Sequence, residues 1–86
     1  MCDIFAIRHI VEGNTIEEKT FILTPVNITV VEDQGKKKSF IEYKDISNCI
    51  MIDDSTSLGM KVNDKNYFIF CDEAKKLIEL IKQYKN

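Results

Sequence analysis

Short apolar runs, some of them alternating with polar residues at a two-residue period, occupy most of this chain, and the pattern changes to a helical period only once. Seven segments rich in β-branched and aromatic residues lie at residues 4–11, 19–24, 27–32, 39–43, 49–53, 58–62 and 67–71. Residues typical of turns separate them, with Pro25 ending the second segment and Gly35 placed for a tight reversal after the third. The pattern predicts seven short antiparallel strands.

A helical period begins after Asp72, which we expect to act as the N-cap, with Glu73 in the first turn. Apolar residues then recur at spacings of three and four, which is typical of a helix with one buried face. These residues are Ala74, Leu77, Ile78, Leu80, Ile81 and Tyr84. The sequence predicts one C-terminal amphipathic helix.

An arrangement of seven strands and one helix must bury the apolar face of the sheet and the stripe of the helix together. A bent sheet or partly open barrel, capped at one end by the helix, does both. The predicted fold class is therefore mainly β with one C-terminal α-helix. A chain of 86 residues encloses one core, so we expect a single domain over residues 1–86, folded as a monomer.

The order of these segments resembles a pleckstrin-homology-like module over nearly the whole chain. The residues that carry the resemblance are 19–24, 27–32, the run Tyr43-Lys44-Asp45-Ile46, residues 67–70 and the closing helix. The compact length is more similar to the third lobe of a FERM domain, or to a phosphotyrosine-binding-type module, than to a phosphoinositide-binding domain. The chain departs from the usual pattern in having no tryptophan in the terminal helix.

Composition excludes several classes of function. A formal net charge of −2 lacks the positive excess with which nucleic-acid-binding proteins neutralise phosphates. The longest apolar runs are far shorter than the roughly 20 residues of a membrane-spanning helix. The N-terminal residues do not have the pattern of a secretory signal peptide. Three cysteines without clustered spacing favour a reducing cytoplasm, and the domain is expected there, free or attached to a membrane or the cytoskeleton.

The residues predict no catalytic centre, metal site or cofactor site. His9 is the only histidine and has no matched nucleophile, so a structural or surface role is expected. Cys2, Cys49 and Cys71 lack the paired spacing of a zinc site. The glycines are isolated and none opens the helix, which argues against nucleotide binding. We therefore expect a protein that is not an enzyme.

The leading hypothesis is an interaction or scaffolding module that binds a protein partner. By analogy with the fold, an extended peptide would add to the edge of the fifth strand and lie in the groove beside the helix. The candidate contact residues are Asn48, Cys49, Ile50, Met51 and Ile52 on the strand, and Leu77, Ile81 and Tyr84 on the helix.

Two alternatives remain open. The first is a phosphoinositide- or anionic-membrane-binding domain, whose candidate residues are Lys36, Lys37, Lys38, Arg8, Lys19 and Lys61. Against it, the segment that joins the first two predicted strands, residues 12–18, is acidic. The second alternative is a structural lobe of a larger FERM-like or scaffold protein.

Overall fold

The chain folds as seven β-strands and one α-helix in the computed structural model, which describes residues 2–11, 15–53 and 56–85. The strands are β1 (Asp3–Val11), β2 (Thr15–Leu23), β3 (Ile28–Glu32), β4 (Lys37–Ile41), β5 (Ile46–Asp53), β6 (Ser57–Val62) and β7 (Lys65–Phe70). Two short 3-10 turns, Asp33–Gly35 and Tyr43–Asp45, precede β4 and β5, and helix α1 spans Ala74–Lys85.

All of these strands join one antiparallel sheet in the order β4-β3-β2-β1-β7-β6-β5. The pairing of β1 with β2 runs from Asp3↔Leu23 to Val11↔Thr15, whereas β1 meets β7 only at Arg8↔Phe70 and His9↔Ile69. The sheet thus has two halves, β1–β4 and β5–β7, joined by a short seam. Strands β4 and β5 are its edges.

Alternate side chains of the strands face one shared core. In β1, Phe5 and Ile7 are buried, while Ile4 and Arg8 are exposed. The largest fully buried side chains come from both halves of the sheet and from the helix: Leu23, Ile28, Ile46, Leu58, Ile69, Leu77 and Ile81. Because a flat sheet could not bring them together, the two halves must bend around the helix. The predicted fold class is confirmed.

Helix α1 buries the predicted face but begins later than expected. Leu77 and Ile81 are 0% and 1% exposed, whereas Leu80 and Tyr84 are half-buried. The N–H of Ala74 donates to the carbonyl oxygen of Cys71 at 3.1 Å, which closes a turn before the helix. Asp72 and Glu73 therefore lie in that turn, and Glu73 is not in the first turn of the helix as predicted.

Several predicted strand bounds are wrong: β5 begins at Ile46 instead of Cys49 and β7 at Lys65 instead of Tyr67, and β2 and β4 differ for a common reason. Strand β2 begins at Thr15 instead of Lys19, and β4 covers Lys37–Ile41 instead of residues 39–43. The added residues are exposed and, apart from Ile16, polar, so their own sequence carries little strand signal. They are strands because β1 and β3 extend alongside them and supply hydrogen-bond partners. Of the acidic segment 12–18, residues 12–14 lie outside the described residues.

Tyr43 connects the strands to the helix. Predicted as the end of the fourth strand, it instead opens the second 3-10 turn, and its hydroxyl donates to the carbonyl oxygen of Thr24 at 2.6 Å. Its ring is buried and lies 5.5 Å from that of Tyr84, centroid to centroid. Burial raises the pKa of Tyr43 to about 12, so the hydroxyl remains a donor at neutral pH. This contact fixes the end of α1 beside the start of β5.

Left-handed backbone conformations form two of the reversals. Gly35 has φ of +91°, as its predicted place in a tight turn requires. The β6–β7 connection uses Asn63 and Asp64, with φ of 49° and 71°. Positive φ at both central residues is typical of the hairpin turn that matches strand twist, and Asn and Asp tolerate it better than most residues.

Replacement of Leu77 by Ala tests whether the helix face supports the core. We expect Leu77→Ala to lower the free energy of unfolding by about 2–5 kcal/mol, from lost apolar burial and the cavity left behind. Lys75→Ala, on the exposed face of the same helix, is the matched control and should change it by about 0.5 kcal/mol or less. Urea unfolding curves measure both. Equal losses in the two variants would contradict this assignment of the buried face.

Candidate functional site

The candidate residues on the fifth strand lie on an edge strand, as the hypothesis requires. Strand β5 pairs with β6 alone among the described strands. Asn48, Ile50 and Ile52 are exposed, Met51 is half-buried and Cys49 is 7% exposed. The strand therefore presents Asn48, Ile50 and Ile52 outward and places Cys49 in the core.

The candidate residues on the helix are mostly unavailable to a partner in this arrangement. Leu77 and Ile81 are buried in the core, and only the half-buried Tyr84 retains exposed surface. The Nζ of Lys85 also donates to the carbonyl oxygen of Ile46, the first residue of β5. The C-terminal end of α1 is thus bonded to the start of β5. Accessible surface begins further along the strand.

An apolar depression on the outer face of β5, β6 and β7 was missed by the sequence analysis. Its volume is about 250 Å³, and its walls include Ile50, Ile52 and Phe68. Gly59 forms the floor: a Cβ atom there would lie 3.2 Å from Cδ1 of Ile52. Ile50, Ile52 and Phe68 are 52%, 48% and 38% exposed, so this is exposed apolar surface. The sequence signal is a glycine inside a strand, which often marks close approach.

The candidate basic residues do not gather in one concave surface. Arg8 and Lys19 line a trough of about 790 Å³, but Glu18, Glu32 and Asp72 line it too. The acidic side chains there outnumber the basic ones. Lys61 lies on β6, in the other half of the sheet, beside the apolar depression.

The three consecutive lysines form the remaining concentration of positive charge. Lys36, Lys37 and Lys38 are all exposed, at the start of the edge strand β4 and just before it. Lys37 stands opposite Glu32 and Lys38 opposite Val31. Their side chains are therefore available to solvent, and they place charge along that edge of the sheet.

The environments of the cysteines are those of structural residues. Cys49 and Cys71 are buried, and burial raises the pKa of Cys49 to about 11 and also raises that of Cys71. Both remain protonated thiols at neutral pH, and a protonated thiol is a weak nucleophile and metal ligand. In the described part of the chain, no three His, Cys, Asp or Glu side chains are grouped to hold a metal ion.

His9 lies on the inner face of β1 and is 6% exposed. Its ring is 6.0 Å from that of Tyr67, and its Nε2 is 3.7 Å from Oε1 of Glu17. Burial lowers the pKa of His9, and the positive charge of Lys19 lowers it further, against an opposing effect of Glu17. The imidazole is neutral at physiological pH. It is a buried polar residue whose Nε2 has no hydrogen-bond partner among the described residues.

The lowered pKa of His9 predicts how stability depends on pH. In the unfolded chain His9 is protonated near pH 6.5, whereas in the folded protein it is protonated only at lower pH. The free energy of unfolding therefore decreases as pH falls below 6.5. We expect the thermal unfolding midpoint to fall between pH 7.5 and 5.5, and to fall less in His9→Gln. Carboxylates titrate mainly below this window. Identical pH profiles for the two proteins would contradict the assignment.

No protein-family model and no curated protein sequence matches this chain. Two solved structures match 98% of it: the C-terminal domain of an unknown protein from Leishmania infantum, and Inner Membrane Complex Sub-compartment Protein 3, ISP3, from Toxoplasma gondii. The first match has a TM-score of 0.72 and 19% identity over 83% of that chain; the second has 0.73 and 10% over 73%. At these identities the matches establish the fold alone.

Both matches cover nearly the whole of this chain, so its arrangement of seven antiparallel strands and a C-terminal helix is one that solved structures share. The resemblance to the pleckstrin-homology-like superfamily, and the choice of a subfamily within it, stay predictions. Across the described residues, no helix has the length and apolarity needed to cross a membrane.

Proposed function

We propose that this domain is a non-catalytic interaction module that binds an extended peptide of a protein partner along the free edge of β5. One observation carries the proposal: the two edges of the sheet differ in chemistry. Edge strand β4 also carries the exposed Phe40, but its Lys37 and Lys38 oppose the addition of another strand. Strand β5 presents Ile50 and Ile52, and no residue from Asn48 to Ile52 is charged. Such an uncharged apolar stretch of an edge strand is a template for strand pairing.

The accessible part of this edge is short and defined by the structure. The β5–β6 register shifts between Ile46 and Asn48, and again between Met51 and Asp53. Between these irregularities the pairing is continuous, from Asn48↔Lys61 to Met51↔Leu58. Because Lys85 is bonded to Ile46, the start of the strand is already covered. A peptide would therefore pair along Asn48–Ile52.

The depression over Gly59 supplies side-chain selectivity for such a peptide. In an added strand, alternate side chains fall on the outer face of the sheet, next to Ile50 and Ile52. An apolar side chain of the peptide would cover Ile50 and extend toward Phe68, over the depression that exists because Gly59 has no side chain. Backbone hydrogen bonds would supply affinity, and this apolar contact would supply specificity. The candidate helix residues Leu77 and Ile81 would act indirectly, by fixing β5 from inside.

The similarity to ISP3, a protein of a membrane-associated complex by its name, is in keeping with a non-catalytic role in assembly. The buried cysteines Cys49 and Cys71 support the same proposal, because burial raises the pKa of both thiols and a protonated thiol is a weak nucleophile.

Selection from a random peptide library tests the binding surface. Peptides enriched on the immobilised wild-type domain should bind Ile50→Lys at least ten-fold more weakly, because the charge obstructs both strand addition and the apolar depression. Phe40→Lys is the matched control: Phe40 is an exposed apolar residue, at 63%, on the opposite edge strand. Peptides should bind it as they bind wild type.

Both variants should remain folded, with changes in unfolding free energy of about 1 kcal/mol or less, measured by denaturant titration. If no peptide is enriched, or if enriched peptides bind Ile50→Lys and wild type equally, the β5 edge is not the binding surface.

Association with anionic membranes is the second candidate, favoured by the three consecutive exposed lysines. Each lysine near a charged bilayer contributes about 1 kcal/mol, so the trio could hold the domain weakly at a membrane. We expect sedimentation with phosphoinositide liposomes at low salt to be reduced in the variant with Lys36, Lys37 and Lys38 changed to Glu. The binding should also weaken as salt rises. Unchanged sedimentation of the variant, or binding that is insensitive to salt, would contradict this candidate.

A further inference from the structure

A cavity of about 240 Å³ lies between the two halves of the sheet. It is bounded by strands β1–β4 on one side and by β6 and β7 on the other. Its wall combines apolar and polar side chains in comparable shares, the polar ones being His9, Lys19, Ser39 and Asn63. The aliphatic part of the wall comes from both halves of the sheet: Ile7, Val30, Ile41, Met60, Val62 and Ile69, with Phe21 beside them. The cavity is separate from the edge of β5, since none of the strand residues proposed to bind a peptide lines it.

One polar atom at this cavity lacks a partner. His9 lines the cavity, and its Nε2 is the only buried side-chain nitrogen or oxygen without a hydrogen bond among the described residues. Glu17 Oε1, at 3.7 Å, is beyond hydrogen-bonding distance. A buried polar atom without a partner is costly, and such atoms in folded proteins commonly mark a missing water or ligand.

The charges near the cavity do not favour an anionic ligand. Lys19 is the charged side chain that lines it, and its Nζ lies 3.8 Å from Glu17 and 3.6 Å from Glu32. These two carboxylates lie outside the lining, but they already pair with Lys19, and His9 is neutral. No unpaired positive charge is therefore left to compensate the desolvation of a carboxylate or phosphate, and a neutral molecule is favoured.

Size and hydrogen bonding define the molecule further. A cavity of about 150 Å³ lined by apolar side chains is large enough to bind benzene, so this larger one has room for a substituted ring. A hydroxyl group both donates and accepts, and it can therefore pair with Nε2 in either tautomer of the imidazole. The ring would contact the aliphatic wall while the hydroxyl satisfied the histidine.

We propose that this cavity is a binding site for a small neutral molecule that combines one apolar ring with one hydroxyl group, the hydroxyl being hydrogen-bonded to Nε2 of His9. The site goes beyond the proposed function, because it lies between the sheet halves and uses none of the residues of the β5 edge.

Three probes that share one methylphenyl frame test the site by NMR of the methyl-labelled protein. We expect p-cresol at millimolar concentration to shift the methyl signals of Val30, Val62 and Ile69, which line the cavity. The signals of Ile50 and Ile52, on the outer face, serve as internal controls and should not move. Toluene, without a hydroxyl, should bind about five-fold more weakly, and p-toluate, an anion, should not bind.

Variants of His9 separate recognition by the histidine from simple filling of space. In His9→Phe, p-cresol should lose its advantage over toluene, whereas His9→Gln, which keeps a hydrogen-bonding group, should retain it. Thermal unfolding confirms that each variant is folded before titration, and either folded variant suffices for the comparison. The proposal is overturned if p-cresol leaves the cavity methyl signals of the wild type unmoved, as when only an ordered water satisfies Nε2. It is also overturned if p-cresol and toluene bind the wild type equally.

Discussion

The packing of α1 against the inner face of the sheet is the interaction on which the other features depend. The two halves of the sheet share only the short β1–β7 seam, so pairing of strands alone would leave their relation poorly fixed. Leu77 and Ile81 belong to a core to which both halves contribute. Tyr43 adds a second link, because its hydroxyl donates to the carbonyl oxygen of Thr24 and its ring packs at a tilt against that of Tyr84. Removing these contacts would free the halves to move apart.

Because only one end of the bent sheet is covered by the helix, the chemical character of the interior differs between its two ends. At the helix end the interior is filled by large, fully buried aliphatic side chains. Away from the helix, no second helix covers the interior among the described residues, and the inner faces of β1, β2 and β3 carry His9, Glu17, Lys19 and Glu32. These side chains pair with one another only loosely, at distances above 3.5 Å. The cavity and the unpartnered histidine are therefore consequences of a fold that has one helix for two ends.

Much of the fold could be predicted from the sequence, since the two-residue period and its change near residue 72 depend only on local pattern. Strand boundaries were harder where polar residues are strands because of a neighbour, as at Thr15 and Lys37. The site was predicted only in part. The sequence predicted residues 48–52 as contact residues. Which of them face outward, however, depends on the irregularities that interrupt the register of β5 with β6.

The depression over Gly59 could not be predicted, because its walls come from three strands whose order is set by tertiary structure. A glycine in a strand interior is a weak signal by itself. It becomes informative only when the register places it between Ile50 and Phe68. Nε2 of His9 is a similar case. Burial of the residue was consistent with its predicted structural role, but whether Nε2 has a hydrogen-bond partner depends on a few tenths of an ångström in its distance from Glu17.

The contrast between the two sheet edges is hard to explain by folding alone. Exposed apolar side chains on an edge strand favour aggregation. On β4 the exposed lysines oppose it, and their side chains do not enter the core. The same protection was available at Ile50, whose side chain is half-exposed and contributes little to the core. A lysine there would preserve the strand and remove the hazard. An apolar edge that folding does not require supports the proposal that a partner binds there, because binding would cover the exposed side chains and use the free backbone groups.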